Sequence, residues 1–241
     1  MRQRGQEQQL VLDSHYHALL DTADTQLPAM TGLELHDALG KAVPGFNLRL
    51  WPMEENGSEC NWRRGLAHAH NLNTMNRLPA WLERSGTANT FQAWQKNLVW
   101  DQGRIHFTPD KIFFQPSYYV DRMFADEWLP LVVQADSTVP TLDVTAKKSS
   151  DGKVLTVYLV NLAETPVPVV FKVSGFNPAQ AHVTQICSPN LPALNTPEQP
   201  ETVISRLIPW AWQPENPRLE LPGYSFTSIR LGAAGAPQAT R

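Results

Sequence analysis

The sequence predicts an α/β plus all-β chain, in which an α/β segment with a parallel sheet precedes an antiparallel β-sandwich. Apolar runs of strand length alternate with helix-period patterns up to about residue 104, and this alternation is typical of βαβ units. After that residue the helix-period patterns nearly vanish, and short β-rich runs separated by turn residues replace them. Most of the 20 prolines lie in this second part, where proline suits strand edges and loops.

Bulk composition indicates an ordinary folded chain and excludes some partners. Of the 241 residues, 42% are hydrophobic and 18% are charged, so a sizeable core is available. The net charge of −3 and the lack of a Lys/Arg run argue against a nucleic-acid partner. No run approaches the roughly 18 apolar residues of a membrane span. Residues 1–9 are polar and contain no signal-peptide core, and the spacing of Cys60 and Cys187 does not indicate a disulfide.

The α/β part is organised around the stretch Leu48–Arg77. The apolar residues at 48–53 predict a short buried strand, and Glu54 and Glu55 follow where this run ends. Asn, Gly and Ser at 56–58 predict a turn into a helix, because Asn and Gly tolerate positive φ and Ser can cap a helix.

Apolar residues then recur three or four apart from Trp62 to Met75, which predicts one buried face of a long helix. An acid between a strand and its helix stands where α/β enzymes place chemistry. Because side chains alternate along a strand, at most one of Glu54 and Glu55 faces a pocket. The simpler interpretation, two solvated turn residues, stays open here. His68 and His70 lie about 200° apart on the helix and are interpreted as ordinary helix residues.

Other elements of the first part are weaker. Leu10–Leu20 predicts a second buried strand, Thr31–Val43 a helix and Thr87–Trp94 a third short strand. Three strand–helix units cannot close a barrel and would leave sheet edges exposed. We therefore expect the sequence to be the carboxyl part of a longer chain, or to begin later than its natural start.

The second part contains seven predicted strands and one helix, at Tyr118–Phe124. The run Val154–Leu162 is apolar on both faces, which predicts a central strand. Residues 233–241 predict a disordered tail. The predicted strands are Leu129–Ala135, Thr141–Ala146, Val154–Asn161, Val167–Val173, Ala181–Ile186, Val203–Leu207 and Phe226–Leu231.

Polar residues on the predicted strands are candidate ligands. His15 and His17 share one strand face, but no third ligand stands at metal spacing, so structural or substrate-contacting histidines are favoured over a metal pair. Asn89 and Gln92 are amides that either bind sugar hydroxyls or satisfy loop backbone. No phosphate-binding glycine loop and no GxSxG element is present, and we predict no metal and no cofactor.

Several stretches together resemble the carboxyl-terminal part of the α-L-arabinofuranosidases of glycoside hydrolase family 51. MEENGSECNWRRGLAHAHNLNTMNR is similar to the family's seventh barrel strand, its terminal Glu and the following helix, and DSHYH is similar to the sixth strand. VWDQGRIHFTPDKIFFQPSYYVDRMFA resembles the family's segment in which a W-x-x-x-x-I-x-F run precedes a helix, and LPGYSFTSIRL resembles its closing strand. The resemblance implies the end of a (β/α)8 TIM barrel in residues 1–104, and a jelly-roll-like sandwich in residues 105–232.

The resemblance also implies roles for individual residues. Glu55 matches the family's catalytic nucleophile, and Glu54 matches the variable residue before it. His15 matches a histidine that lines the sugar site, whereas His17 stands where many members have Tyr. Asn89 falls near an amide that contacts substrate. The family's acid/base Glu has no match among the other acids of this sequence.

The function implied is a retaining hydrolase that removes terminal arabinofuranosyl residues from arabinose-containing oligo- or polysaccharides, here without its acid/base half. The compartment stays open, with a secreted or periplasmic parent protein as one alternative, and a homo-oligomer stays open as well. Two other interpretations remain: a carbohydrate-binding sandwich module with a barrel remnant, or a metal hydrolase built on the two strand histidines.

Overall fold

The computed structural model describes residues 11–13, 15–17, 37–45, 49–51, 53–57, 59–77, 86, 88–96 and 100–236. Residues 37–42 are helical (α1) and lie within the predicted Thr31–Val43 helix, the rest of which is largely outside the described residues. The longer helices are α2, Trp62–Arg77, and α3, Pro116–Asp126. Both were predicted, and α3 begins at Pro116, whose fixed φ suits a first helical position.

Short strands dominate the described part of the chain. In chain order they are β1 Val11–Leu12, β2 His15–His17, β3 Arg49–Leu50, β4 Glu54–Asn56, β5 Phe91–Ala93, β6 Ile105–Phe107, β7 Ile112–Phe114, β8 Leu131–Val133, β9 Leu142–Lys148, β10 Val154–Asn161, β11 Val167–Val170, β12 Gln180–Cys187, β13 Arg206–Ile208, β14 Arg218–Leu221 and β15 Ser225–Gly232.

The first part pairs its strands in parallel, as predicted. β1 pairs with β3, and β2 pairs with β4. The single strand predicted at Leu10–Leu20 is wrong in detail, because β1 and β2 are separated at Asp13, whose Oδ1 accepts a hydrogen bond from the Met53 N–H at 3.1 Å. The apolar run at 48–53 is likewise not one strand, because β3 ends at Leu50 and β4 begins at Glu54. Glu54 and Glu55 therefore lie inside a strand of their own and not in a turn after one.

A second small sheet follows. β5 lies within the predicted strand Thr87–Trp94 and pairs in parallel with β6, which pairs antiparallel with β7. β6 and β7 have no counterpart among the predicted strands. The predicted domain boundary between residues 104 and 105 stays a prediction, and the β5–β6 pairing crosses it.

The second part is antiparallel. Six strands form one sheet in the order β13-β12-β15-β10-β9-β8, and β11 pairs with β14 in a separate ribbon. β10 lies between β15 and β9, and all eight of its residues are buried. The prediction of a central strand at Val154–Leu162 is thus confirmed. β14 was not predicted.

The six-stranded sheet has an apolar core on each face, which explains why β10 carries apolar residues on both of its faces. One core contains Leu155, Val157 and Leu159 of β10 together with residues of β11 and β14. On the other face Tyr158 and Val160 pack with residues of α2 and α3. The helix α2 therefore has one face on the sheet, through Trp62, Leu66 and Ala69, and its remaining sides are free to position polar residues. Among the described residues, no helix is long and apolar enough to cross a membrane.

Candidate active site at strand β4

Strand β4, which carries the acid pair, lies between two parallel neighbours. On one side it pairs with β2. On the other, the Glu55 N–H donates to Gly86 O and the Ala88 N–H donates to Glu55 O, both at 3.2 Å. Glu54 and Glu55 consequently occupy an internal strand held by backbone hydrogen bonds on both edges.

The register of β2 and β4 separates the two acids. His15 is paired with Glu54, Tyr16 with Glu55, and His17 with Asn56. Positions paired in register project to the same face of a sheet, and successive positions alternate. The positions of His15 and Glu54 thus share one face, and the position of Glu55 belongs to the opposite one. The side chains of His15 and His17 lie outside the described part.

Glu55 is fully buried and is the centre of an ion-pair network. Arg104 Nη2 donates to Glu55 Oε2 at 3.0 Å, and Arg64 Nε lies 3.7 Å from Oε1. His68 Nδ1 also contacts Oε2. His68 and Arg104 both reach Asp121 of α3 from their other sides, with 2.7 Å between His68 Nε2 and Asp121 Oδ1. The carboxylate therefore points to the side of β4 on which α2 and α3 lie.

The charges around Glu55 keep it ionised. Burial by itself raises the pKa of the Glu55 carboxyl, but His68, Arg104 and Arg64 outweigh burial and lower that pKa from 4.5 to about 2. Burial and the positive charge of Arg104 lower the pKa of His68, while Glu55 raises it. Glu55 is thus a permanently charged partner of two arginines at neutral pH.

Local sequence explains how α2 supplies this network. Arg64 and His68 are four residues apart and so lie on the same helix stripe. The Asn61 side chain accepts a hydrogen bond from the Arg64 N–H at 3.2 Å, which caps the helix. Ser58, the predicted cap, lies outside the described residues. Gly57 leaves the space for the guanidinium, because a Cβ there would lie 2.6 Å from Arg64 Nε.

The interpretation of His68 as an ordinary helix residue is wrong, since it joins Glu55 to Asp121. Its expected separation from His70 is confirmed: His70 Nδ1 lies 2.8 Å from Asp143 Oδ2 on β9. The spacing of Arg64 and His68 could have indicated a polar stripe. Arg104 and Asp121 carry no local signal of this kind, because their partners are 49 and 53 residues away.

Of the two predicted amide ligands, Asn89 lies beside this strand. Asn89 is exposed, has a positive φ of 52° and follows Ala88, the residue that pairs with β4. Gln92 is half-buried on β5, and its Nε2 donates to Trp100 O at 3.5 Å. Their roles in binding sugar, like those of His15 and His17, stay predictions.

The fold is one that solved glycosidases share. The structure of the α-L-arabinofuranosidase from Thermotoga maritima in complex with arabinose aligns with a TM-score of 0.74 and 17% identity, over 92% of this chain and 52% of that one. The GH51 enzyme from Thermotoga petrophila RKU-1 aligns with a TM-score of 0.73 and 16% identity, over 91% and 52%. The GH51 arabinofuranosidase from Xanthomonas axonopodis pv. citri gives 0.68 and 18%, over 92% and 52%.

At these identities the likeness establishes the fold, and the chain spans about half the length of these solved structures. A comparison with curated proteins finds no match. Residues 50–225 match the family described as Alpha-L-arabinofuranosidase C-terminal domain, and the chain belongs to that family. The resemblance to the carboxyl-terminal part of the family 51 enzymes is thereby confirmed.

Proposed function

We propose that the protein acts as an α-L-arabinofuranosidase-like retaining hydrolase on terminal arabinofuranosyl residues of arabinose-containing oligo- or polysaccharides. The observation that carries the proposal is the acid pair on an internal parallel strand beside the strand of His15 and His17, within a chain of this family. In this proposal residues 1–104 contribute the end of a (β/α)8 barrel, and residues 105–232 form a jelly-roll-like sandwich.

The chemistry requires one carboxylate of the pair to reach the sugar. In a retaining glycosidase a carboxylate attacks the anomeric carbon, while a second carboxyl group about 5–5.5 Å away protonates the departing oxygen and later activates water. The second group belongs to a strand outside the matched stretches of this sequence. The attacking group must be ionised and accessible, so we use burial as the criterion for choosing between Glu54 and Glu55.

Geometry favours Glu54 as the nucleophile, although the resemblance matches Glu55 to that role. Glu55 is 0% exposed, and its oxygens face Arg64, His68 and Arg104. A sugar could approach it only by displacing these groups. Glu54 is half-buried and shares its strand face with the position of His15, the residue matched to the sugar site.

Glu55 then has a structural role. Its charge joins β4 to α2 through Arg64 and His68, and to the segment before β6 through Arg104. Because side chains alternate, an anchored Glu55 fixes the direction in which Glu54 projects. Positioning of this kind matters, since a misplacement of about 1 Å can cost about 100-fold in rate.

Azide rescue tests the assignment in the complete hydrolase of which we propose this chain to be the carboxyl-terminal part. In Glu54→Gly, azide should attack the anomeric carbon of an aryl α-L-arabinofuranoside, the aryloxide should leave, and β-arabinofuranosyl azide should accumulate as activity returns. Glu55→Gly should lose activity together with thermal stability, and azide should restore neither. Rescue of Glu55→Gly, with none in Glu54→Gly, would return the nucleophile to Glu55. An intact wild-type enzyme without arabinofuranosidase activity would refute the function itself.

A carbohydrate-binding module is the second candidate, and one observation favours it. Phe171, Trp210 and Trp212 form an aromatic cluster on the sandwich, with ring centroids 5.9 to 6.4 Å apart. All three are half-buried, so each keeps some surface on which a sugar ring could stack. Retention of the chain on an arabinan affinity gel, lost in Trp212→Ala but not in exposed Trp128→Ala, would support this candidate.

A further inference from the structure

A second cluster of reactive side chains lies apart from the acid pair. Cys60, just before α2, Asp101, in the loop before β6, and His106 of β6 are all buried. Their ligand atoms Sγ, carboxylate O and ring N lie within 4.8 Å of one another. His106 Nε2 lies 2.8 Å and 3.1 Å from the two Asp101 oxygens.

The surrounding structure holds Asp101 and His106 in place. The Gly103 N–H donates to Asp101 Oδ1 at 3.2 Å, which orients the carboxylate. Phe113 stacks on the His106 ring at 5.6 Å between centroids, and Trp94 meets the ring edge-on at 5.4 Å.

The chain segments that carry the cluster are also tied together. Arg64 Nη1 donates to Gln102 O at 2.7 Å and to Glu59 O at 3.5 Å, and these are the chain neighbours of Asp101 and Cys60. The two segments thus converge whether or not anything binds between them.

The three side chains form one buried cluster of potential metal ligands. The Asp101 carboxylate is hydrogen-bonded to the His106 ring and lies close to the buried Cys60 thiol. A thiolate, an imidazole and a carboxylate are together the donor set that zinc prefers.

We propose that Cys60 Sγ, His106 Nε2 and one Asp101 oxygen bind a zinc ion. Tetrahedral zinc with bonds of about 2.0–2.1 Å places N and O ligands about 3.3 Å apart, so the His106–Asp101 pair needs to open by only about half an ångström. On binding, the thiol proton is released to solvent and the proton on His106 Nε2 moves to Nδ1. A water molecule completes the coordination. No electrons are transferred.

The proposed ion would join the N-terminal end of α2 to the β5–β7 sheet. That junction lies next to Arg64, which also contacts Glu55. Zinc at this position would therefore stabilise the scaffold behind strand β4. The inference is independent of the proposed glycosidase function, because it concerns residues outside the acid pair and is measured without a sugar.

The test is titration of the chelator-treated protein with Co²⁺, which reports a metal–thiolate bond by its charge-transfer absorption in the near ultraviolet. One equivalent should produce the band, and Zn²⁺ should displace it. Cys60→Ser should abolish the band, and Cys187→Ser should leave it unchanged, because Cys187 is the other free cysteine and lies on β12.

Two further variants keep the test decisive if Cys60→Ser does not fold. His106→Gln should weaken zinc binding by more than the roughly 10–100-fold that loss of an outer partner costs. Glu59→Gln, which alters an exposed acid next to Cys60, should bind zinc like the wild type. Folded wild-type protein without a Co²⁺–thiolate band, or a band that persists in Cys60→Ser, would overturn the proposal.

Discussion

The pH dependence of stability provides a direct test of the network around Glu55. The folded pKa of Glu55 is about 2, against an ordinary value of 4.5. That difference corresponds to about 3 kcal/mol of unfolding free energy. Because the folded pKa is the lower one, this stabilisation is complete above about pH 5 and is lost as the pH falls toward 2. About 2 kcal/mol of it should disappear between pH 6 and pH 3.

The assay is urea unfolding of the purified protein at pH 6 and pH 3, followed by tryptophan fluorescence, for the wild type and Glu55→Gln. The amide keeps the shape of the side chain but leaves Arg64 and Arg104 without their buried counter-charge. We expect it to cost about 3–5 kcal/mol at pH 6, and the loss on acidification should be about 2 kcal/mol smaller than in the wild type.

Two comparisons make the result interpretable. Glu220→Gln, the same chemical change at an exposed position on β14, should alter the unfolding free energy by less than about 0.5 kcal/mol. Adding Arg104→Gln to Glu55→Gln should cost less than the sum of the two single changes, because the partners interact. Equal pH dependence in the wild type and Glu55→Gln would refute the argument that Glu55 is held ionised by its neighbours.

Three further predictions concern the same scaffold. In thermal melts Gly57→Ala should destabilise the protein by about 1–3 kcal/mol, since the new Cβ would displace the Arg64 guanidinium. The control Gly40→Ala, in helix α1, should be neutral or stabilising, because a Cβ there would have no neighbouring atom within 4 Å. Asp143→Asn weakens the ion pairs to His70 and Arg77 of α2 and should lower the unfolding free energy by about 1–3 kcal/mol. Asp126→Asn, which removes an exposed ion pair, should lower it by less than about 0.5 kcal/mol, and equal losses in urea melts would contradict this prediction. Without an acid/base partner, this chain should release nitrophenol from p-nitrophenyl α-L-arabinofuranoside at least about 100-fold more slowly than a complete family 51 α-L-arabinofuranosidase, and equal rates would place the acid/base within this sequence.

Elements with a strong local pattern were predictable from the sequence. β10 is apolar on both faces because it lies in the middle of the six-stranded sheet between two cores. The helix α2 shows its apolar stripe because that stripe packs on the sheet. In contrast, β6, β7 and β14 are only three or four residues long. Over three or four residues even a strict alternation, such as that of β14, is too short to identify a strand, and the pairing partners decide that it forms.

The candidate site divides in the same way. The sequence by itself determined that two adjacent acids lie between an apolar strand and a helix, and that only one of them could face a pocket. The tertiary structure decided which one is buried. The register of β4 against β2 and the position of α2 place Glu55 among Arg64, His68 and Arg104. Strand register depends on hydrogen bonds between segments about 40 residues apart, and no local pattern in either segment specifies it.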